Sequence, residues 1–90
     1  MALSINLYGL LRVLIGRQEM ELPWQGGTLG EMIAQLADQY GKVVREELLD
    51  EKGELDRAYA VFIKGERVDD LSVRIEEGNE VVITSMLAGG

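Results

Sequence analysis

One amphipathic helix is written between residues 28 and 41, and the chain on either side of it follows the two-residue period of β-strands. Thr28-Leu29-Gly30-Glu31 fits a capping box, with Thr28 as N-cap and Glu31 at the third helical position. Leu29, Met32, Ile33, Leu36, Ala37 and Tyr40 then recur at the spacing of one buried stripe, and Gly41 stops the helix where a left-handed residue is wanted. A helix with one apolar stripe has to bury it, and most of the remaining pattern is strand. The expected architecture is therefore α+β, a mixed sheet of about four to five strands with one main helix packed across it.

The strands are read from alternation. Leu3, Ile5 and Leu7 face one way and Ser4, Asn6 and Tyr8 the other. Gly9 to Gly16 reads as a connection to a second strand, Arg17 to Leu22, on which Glu19 and Glu21 oppose Met20 and Leu22. Pro23-Trp24-Gln25-Gly26-Gly27 reads as a loop. Between Lys42 and Leu49, the residues Val43, Val44, Leu48 and Leu49 fit either a short helix or an irregular packed segment. Lys52-Gly53 marks a turn. Tyr59-Ala60-Val61-Phe62-Ile63 is a buried or central strand that turns at Lys64-Gly65-Glu66. Val68 and Leu71 return apolar anchors to the core, Glu77-Gly78-Asn79 turns again, and Glu80 to Thr84 is the last strand. Residues 1–84 are expected to form the domain and 85–90 a flexible C-terminal tail ending in Gly-Gly.

Composition removes whole classes of chemistry. The chain has no His and no Cys, hence neither the usual near-neutral general base nor the usual thiol nucleophile. A zinc site would need an all-carboxylate shell, and no metal site is expected. Sixteen acidic residues against nine basic give a net charge of −7, which argues against nucleic acid and for a protein partner with a basic docking surface. Glu46, Glu47, Asp50, Glu51, Glu54 and Asp56 make the most acidic stretch, but without the spacing of a calcium loop they read as a solvated face. No run is long enough to span a bilayer, no signal peptide is evident, and the expectation is a cytoplasmic protein that is monomeric in isolation.

The best candidate for a reactive group is the end of the chain. After the strand-like run Val81-Val82-Ile83-Thr84 comes Ser85-Met86-Leu87-Ala88 and then Gly89-Gly90. A carboxylate on residues without Cβ atoms enters a narrow groove, and its carbonyl carbon is unhindered toward attack.

Several segments resemble one family. Tyr8-Gly9-Leu10-Leu11-Arg12-Val13-Leu14-Ile15-Gly16, the capped helix from Thr28, Asp50-Glu51-Lys52-Gly53-Glu54-Leu55, Phe62-Ile63-Lys64-Gly65 and Glu76-Glu77-Gly78-Asn79-Glu80-Val81 are similar to the small, sulfur-carrying subunit of molybdopterin synthase. Leu87-Ala88-Gly89-Gly90 resembles the tail shared by that subunit and the thiamine-pathway sulfur carrier. The resemblance covers nearly the whole chain and implies a β-grasp, ubiquitin-like fold. It also implies a cycle in which an E1-like adenylating enzyme uses ATP and magnesium to activate the Gly90 carboxylate. A sulfur donor then leaves a thiocarboxylate, and a downstream acceptor such as a molybdopterin synthase large subunit takes the sulfur. The chain itself would bind no cofactor and would be a carried co-substrate rather than an enzyme. It departs from the family at Ser85-Met86, where many such subunits have two prolines, and at Ala88, where ubiquitin-type modifiers often have arginine.

The same resemblance makes the sheet face away from the helix a docking surface. Tyr8, Phe62, Val82 and Thr84 share that face if the strand parity holds; otherwise Phe62 is plain core. Met86 and Leu87 either contact the partner or pack back on their own domain. Arg12, Lys64, Arg67 and Arg74 are surface charges or contacts to an acidic patch on a partner. Two other functions stay open: a ubiquitin-like modifier forming isopeptide bonds through Gly90, and a β-grasp interaction module without terminal chemistry.

Overall fold

The computed structural model describes residues 2–86. In chain order the elements are β1 (Ala2–Tyr8), α1 (Leu10–Ile15), β2 (Glu19–Pro23), β3 (Gly27–Thr28), α2 (Leu29–Tyr40), α3 (Val43–Leu48), β4 (Tyr59–Ile63), β5 (Glu66–Val68), β6 (Arg74–Ile75) and β7 (Glu80–Ser85). Five strands form one mixed sheet in the order β2-β1-β7-β4-β5, and β3 and β6 form a separate pair. The first and last strands lie parallel at its centre, Ile5 beside Val81 and Leu7 beside Ile83. The other neighbours in that sheet are antiparallel.

Alternation along β1, β2 and β7 sorts the side chains. Leu3, Ile5, Leu7, Met20, Leu22, Val81 and Ile83 are buried, and they meet Leu29, Met32, Ile33 and Leu36 of α2 in one core. Ala37 and Tyr40 complete the expected stripe as half-buried neighbours of that core. The capping box is formed: the Glu31 N–H donates to the Thr28 hydroxyl and the Thr28 N–H to the Glu31 carboxylate at 2.7 Å. These bonds, the backbone one foremost, hold the Glu31 carboxyl below its ordinary pKa. The N–H groups of Leu29 and Gly30 are taken by the carbonyls of Val73 and Leu71, so the opening turn of α2 is also tied to a distant loop.

Several local expectations are corrected or sharpened. Gly9 to Gly16 is not merely a connection, because its centre is helix α1, closed by a left-handed Gly16. No side chain caps that helix; it is held by burying Leu11 and half-burying Ile15. The segment after Lys42 resolves as helix, and Val68 ends a strand paired with β4. Gly41 has φ +100° but ψ 170°, so it needs glycine without adopting the left-handed helical geometry. Trp24, placed in a loop, is core: it is 4% exposed and its indole N–H donates to the Ile75 carbonyl at 2.9 Å.

Tyr59 is buried, with its hydroxyl donating to Glu47 of α3 at 2.7 Å. Burial, and then the neighbouring Glu47 carboxylate, push its pKa far above the ordinary phenol value. A raised acid pKa means that the unfolded chain ionises first, so this contribution is constant below about pH 10 and is lost as pH rises beyond it. Tyr59→Phe is expected to cost about 1–2 kcal/mol at neutral pH. It should also shrink the stability lost between neutral pH and about pH 11, both read from urea unfolding.

Candidate functional site

The central position of β7 decides where the end of the chain emerges. β7 is paired on both sides, with β1 through Tyr8 beside Thr84 and with β4 through Tyr59 opposite Ser85. One further bond extends this register, from the Met86 N–H to the Ala58 carbonyl at 2.6 Å. The chain is thus held by sheet bonding up to the last described residue, and Ser85 and Met86, expected in the flexible tail, belong to the sheet. Leu87, Gly89 and Gly90, three of the residues singled out from the sequence, lie outside the described residues.

Strand register also sets the face beside that exit. Cross-strand partners share a face, so Asn6, Val82, Phe62 and Arg67 form one row across β1, β7, β4 and β5. Tyr8, Thr84 and Ala60 form the next. The structure therefore brings Tyr8, Phe62, Val82 and Thr84 together on the face away from α2. Phe62 is half-buried there, in a strand whose other residues are buried. Val82 and Thr84 are half-buried, while Tyr8 and Met86 are exposed.

Charge grades across this face. Glu19 pairs with Asn6 and Glu21 with Ser4 on the β2 side, and the Asn6 amide donates to Glu80 at 3.3 Å. Arg67 stands on the β5 side, opposite Phe62. An apolar strip between a carboxylate-rich edge and a cationic one suits a polar-rimmed protein surface better than a small molecule.

A shallow cleft of about 380 Å³ is lined by Pro23, Trp24, Gln25, Gly26, Glu31 and Gln35. Three of its side chains are already engaged: the Gln35 amide donates to the Pro23 carbonyl, Trp24 to Ile75, and Glu31 accepts from Thr28. Among the described residues no group of three or more carboxylates is placed to hold a metal ion. Asp50 instead accepts from the backbone N–H groups of Lys52 and Glu54, closing its own turn. Among the described residues no helix is long and apolar enough to cross a membrane.

Sequence reading missed one exposed feature. Leu10, Val13 and Leu14 are exposed on α1, which Gly9 joins to Tyr8. Their three-and-four spacing is the only signal. It is hidden in Leu10-Leu11-Arg12-Val13-Leu14-Ile15, an apolar run interrupted only by Arg12. A run of that length does not separate helix from buried strand by its period.

Comparison with known proteins agrees with this geometry. The model of the ThiS family matches residues 5–90. No curated protein matches the chain in sequence. Among solved structures, SAMP1 from Haloferax volcanii is 20% identical over 100% of both chains, with a TM-score of 0.84. A chain of the BexX/CysO complex from Amycolatopsis orientalis is 22% identical, covering 99% of this chain and 100% of that one, with a TM-score of 0.78. A Pyrococcus furiosus protein described as a candidate subunit 1 of the molybdopterin converting factor is 17% identical, covering 94% and 97%, with a TM-score of 0.75. These likenesses show the fold, a ubiquitin-like β-grasp with its mixed sheet wrapped on one main helix.

Proposed function

The chain belongs to the ThiS family of sulfur-carrier, ubiquitin-like β-grasp proteins, and from that premise we propose that it carries sulfur as a thiocarboxylate on Gly90. The family match that runs through residue 90 is the observation that carries this reading. A carboxylate is a poor acyl donor until one oxygen becomes a good leaving group. An adenylating partner, holding ATP and magnesium, joins the Gly90 carboxylate to the α-phosphorus and releases pyrophosphate. Sulfide then attacks the carbonyl carbon, the C–O bond to AMP breaks, and a thiocarboxylate remains. Gly89 and Gly90 offer the least steric resistance to that attack. Tyr8, Phe62, Val82, Thr84 and Met86 dock the partner, with Leu87 entering its groove. The chain contributes no catalytic side chain of its own, and the sulfur goes to a downstream acceptor, for which molybdopterin synthesis is the pathway proposed.

Intact-protein mass spectrometry tests this after incubation with the adenylating partner, ATP, magnesium and sulfide. The expected result is a mass gain equal to exchange of one oxygen for sulfur, localised to Gly90. No gain, with a partner shown to be active on another carrier of the same pathway, would overturn the reading. The name of one fold neighbour, small archaeal modifier protein 1, motivates a second reading of the same activated end, isopeptide formation with lysines. Gly-Gly remnants on lysines of other proteins would reveal it.

A further inference from the structure

The last bond that ties the chain to the sheet is governed from Asp56. The Asp56 carboxylate accepts from the Ala58 N–H at 2.8 Å, just before β4 begins. The carbonyl of the same Ala58 accepts from the Met86 N–H at 2.6 Å, one residue past the end of β7. Asp56 holds the Ala58 carbonyl from both sides. Its carboxylate fixes the peptide unit before Ala58, and its own carbonyl accepts from the Tyr59 N–H at 3.1 Å, in the unit after it. The Asp56 backbone is anchored in turn, because its N–H donates to the Leu48 carbonyl at the end of α3 at 2.8 Å. The frame around the turn therefore stands on main-chain bonds, and the carboxylate adds the orientation of Ala58. In the sequence this residue reads only as part of a solvated acidic stretch.

What hangs on that orientation is one residue of tail. Ser85 is held independently: it pairs with Tyr59, and it lies so close to Gly9 that a Cβ added there would be 2.5 Å from the Ser85 Cβ. Met86 has no such wedge and is 49% exposed. Four residues follow it, so with Met86 bonded the Gly90 carboxylate reaches at most about 14 Å further. Releasing Met86 adds one residue to the segment that must be ordered when the tail enters a groove, which weakens docking by on the order of tenfold.

We infer that Asp56 is a positioning residue for the activation of Gly90: through Ala58 it holds Met86 on the sheet, and so sets where the tail begins. This rests on the sulfur-carrier reading. The role belongs to the acceptor oxygen and not to the charge, so an amide in its place serves as well.

Two measurements test it. Amide hydrogen exchange followed by NMR reads the clamp with no partner present. The Met86 N–H is expected to exchange about tenfold faster or more in Asp56→Ala, and to stay within about twofold of wild type in Asp56→Asn. Steady-state adenylation, followed by pyrophosphate release with the chain as the varied substrate, reads the consequence. Asp56→Ala should raise KM about three- to tenfold with kcat within about twofold, because docking is weakened while the reacting end is untouched. Asp56→Asn should keep the wild-type KM. Asp50→Ala controls for general loosening, since that carboxylate closes its own turn on the Lys52 and Glu54 N–H groups. It should lower the unfolding temperature about as much as Asp56→Ala and leave KM unchanged. Unchanged Met86 exchange in Asp56→Ala overturns the inference, and so does faster exchange with an unchanged KM; both leave the carrier reading standing. An equal rise in KM for Asp50→Ala, or a rise in Asp56→Asn with Met86 exchange as in wild type, overturns it as well. If no adenylating enzyme activates the wild type, the carrier reading fails and the inference falls with it.

Discussion

Deleting Gly90, or adding one residue after it, is expected to lower thiocarboxylation by at least about a hundredfold while leaving the unfolding temperature unchanged. Deletion leaves a glycine carboxylate, that of Gly89, so the loss is one of reach: the reacting carbon is withdrawn by about 3.5 Å. Displacements of about 1 Å in a reacting group already cost on the order of a hundredfold. Addition acts differently, turning the Gly90 carbonyl into an ordinary amide and moving the free carboxylate outward. Neither change reaches the core, because the buried hydrophobic residues of the described chain run from Leu3 to Ile83. Mass spectrometry for sulfur and a thermal melt for the fold give the two readouts. Normal sulfur uptake by the extended chain would sink the carrier proposal.

Gly9→Ala is expected to destabilise the domain by about 2–6 kcal/mol. Two costs combine. Gly9 has φ 79° and ψ −146°, a region essentially reserved for glycine and worth about 1–3 kcal/mol of strain to another residue. The new Cβ would also meet the Ser85 Cβ at 2.5 Å and its backbone N at 3.1 Å, in a strand paired on both sides. Overpacking of this kind adds about 1–3 kcal/mol. Gly16→Ala separates the two contributions, since Gly16 also has positive φ but nothing within 4 Å of an added Cβ. It should lose about 1–2 kcal/mol, the backbone part alone. Equal losses at the two positions in denaturant unfolding would show that the approach to Ser85 costs nothing.

The sequence determined those features whose causes lie within a few residues. The capping box at Thr28 and Glu31 is bonded within one turn, so α2 was legible to its first residue. The parity of β1 and β2 follows from alternation, which also placed Tyr8 on the outer face, whereas Val82 lies in the unbroken run Val81-Val82-Ile83 and its face was settled only by the register of β7 with β1 and β4. The chemistry proposed for Gly90 likewise belongs to the residue type and its place in the chain. Tertiary structure alone decided the rest. α1 has no capping side chain and exists because Leu11 and Ile15 find the core. Trp24 is buried because the Ile75 carbonyl, 51 residues away in sequence, accepts from its indole. The approach of α1 to the end of β7 depends on β1 lying parallel to β7, which brings Gly9 against Ser85. Local patterns carry the period and the caps of an element. Which elements become neighbours is settled by the joint burial of side chains far apart in the chain, and no short window contains that information.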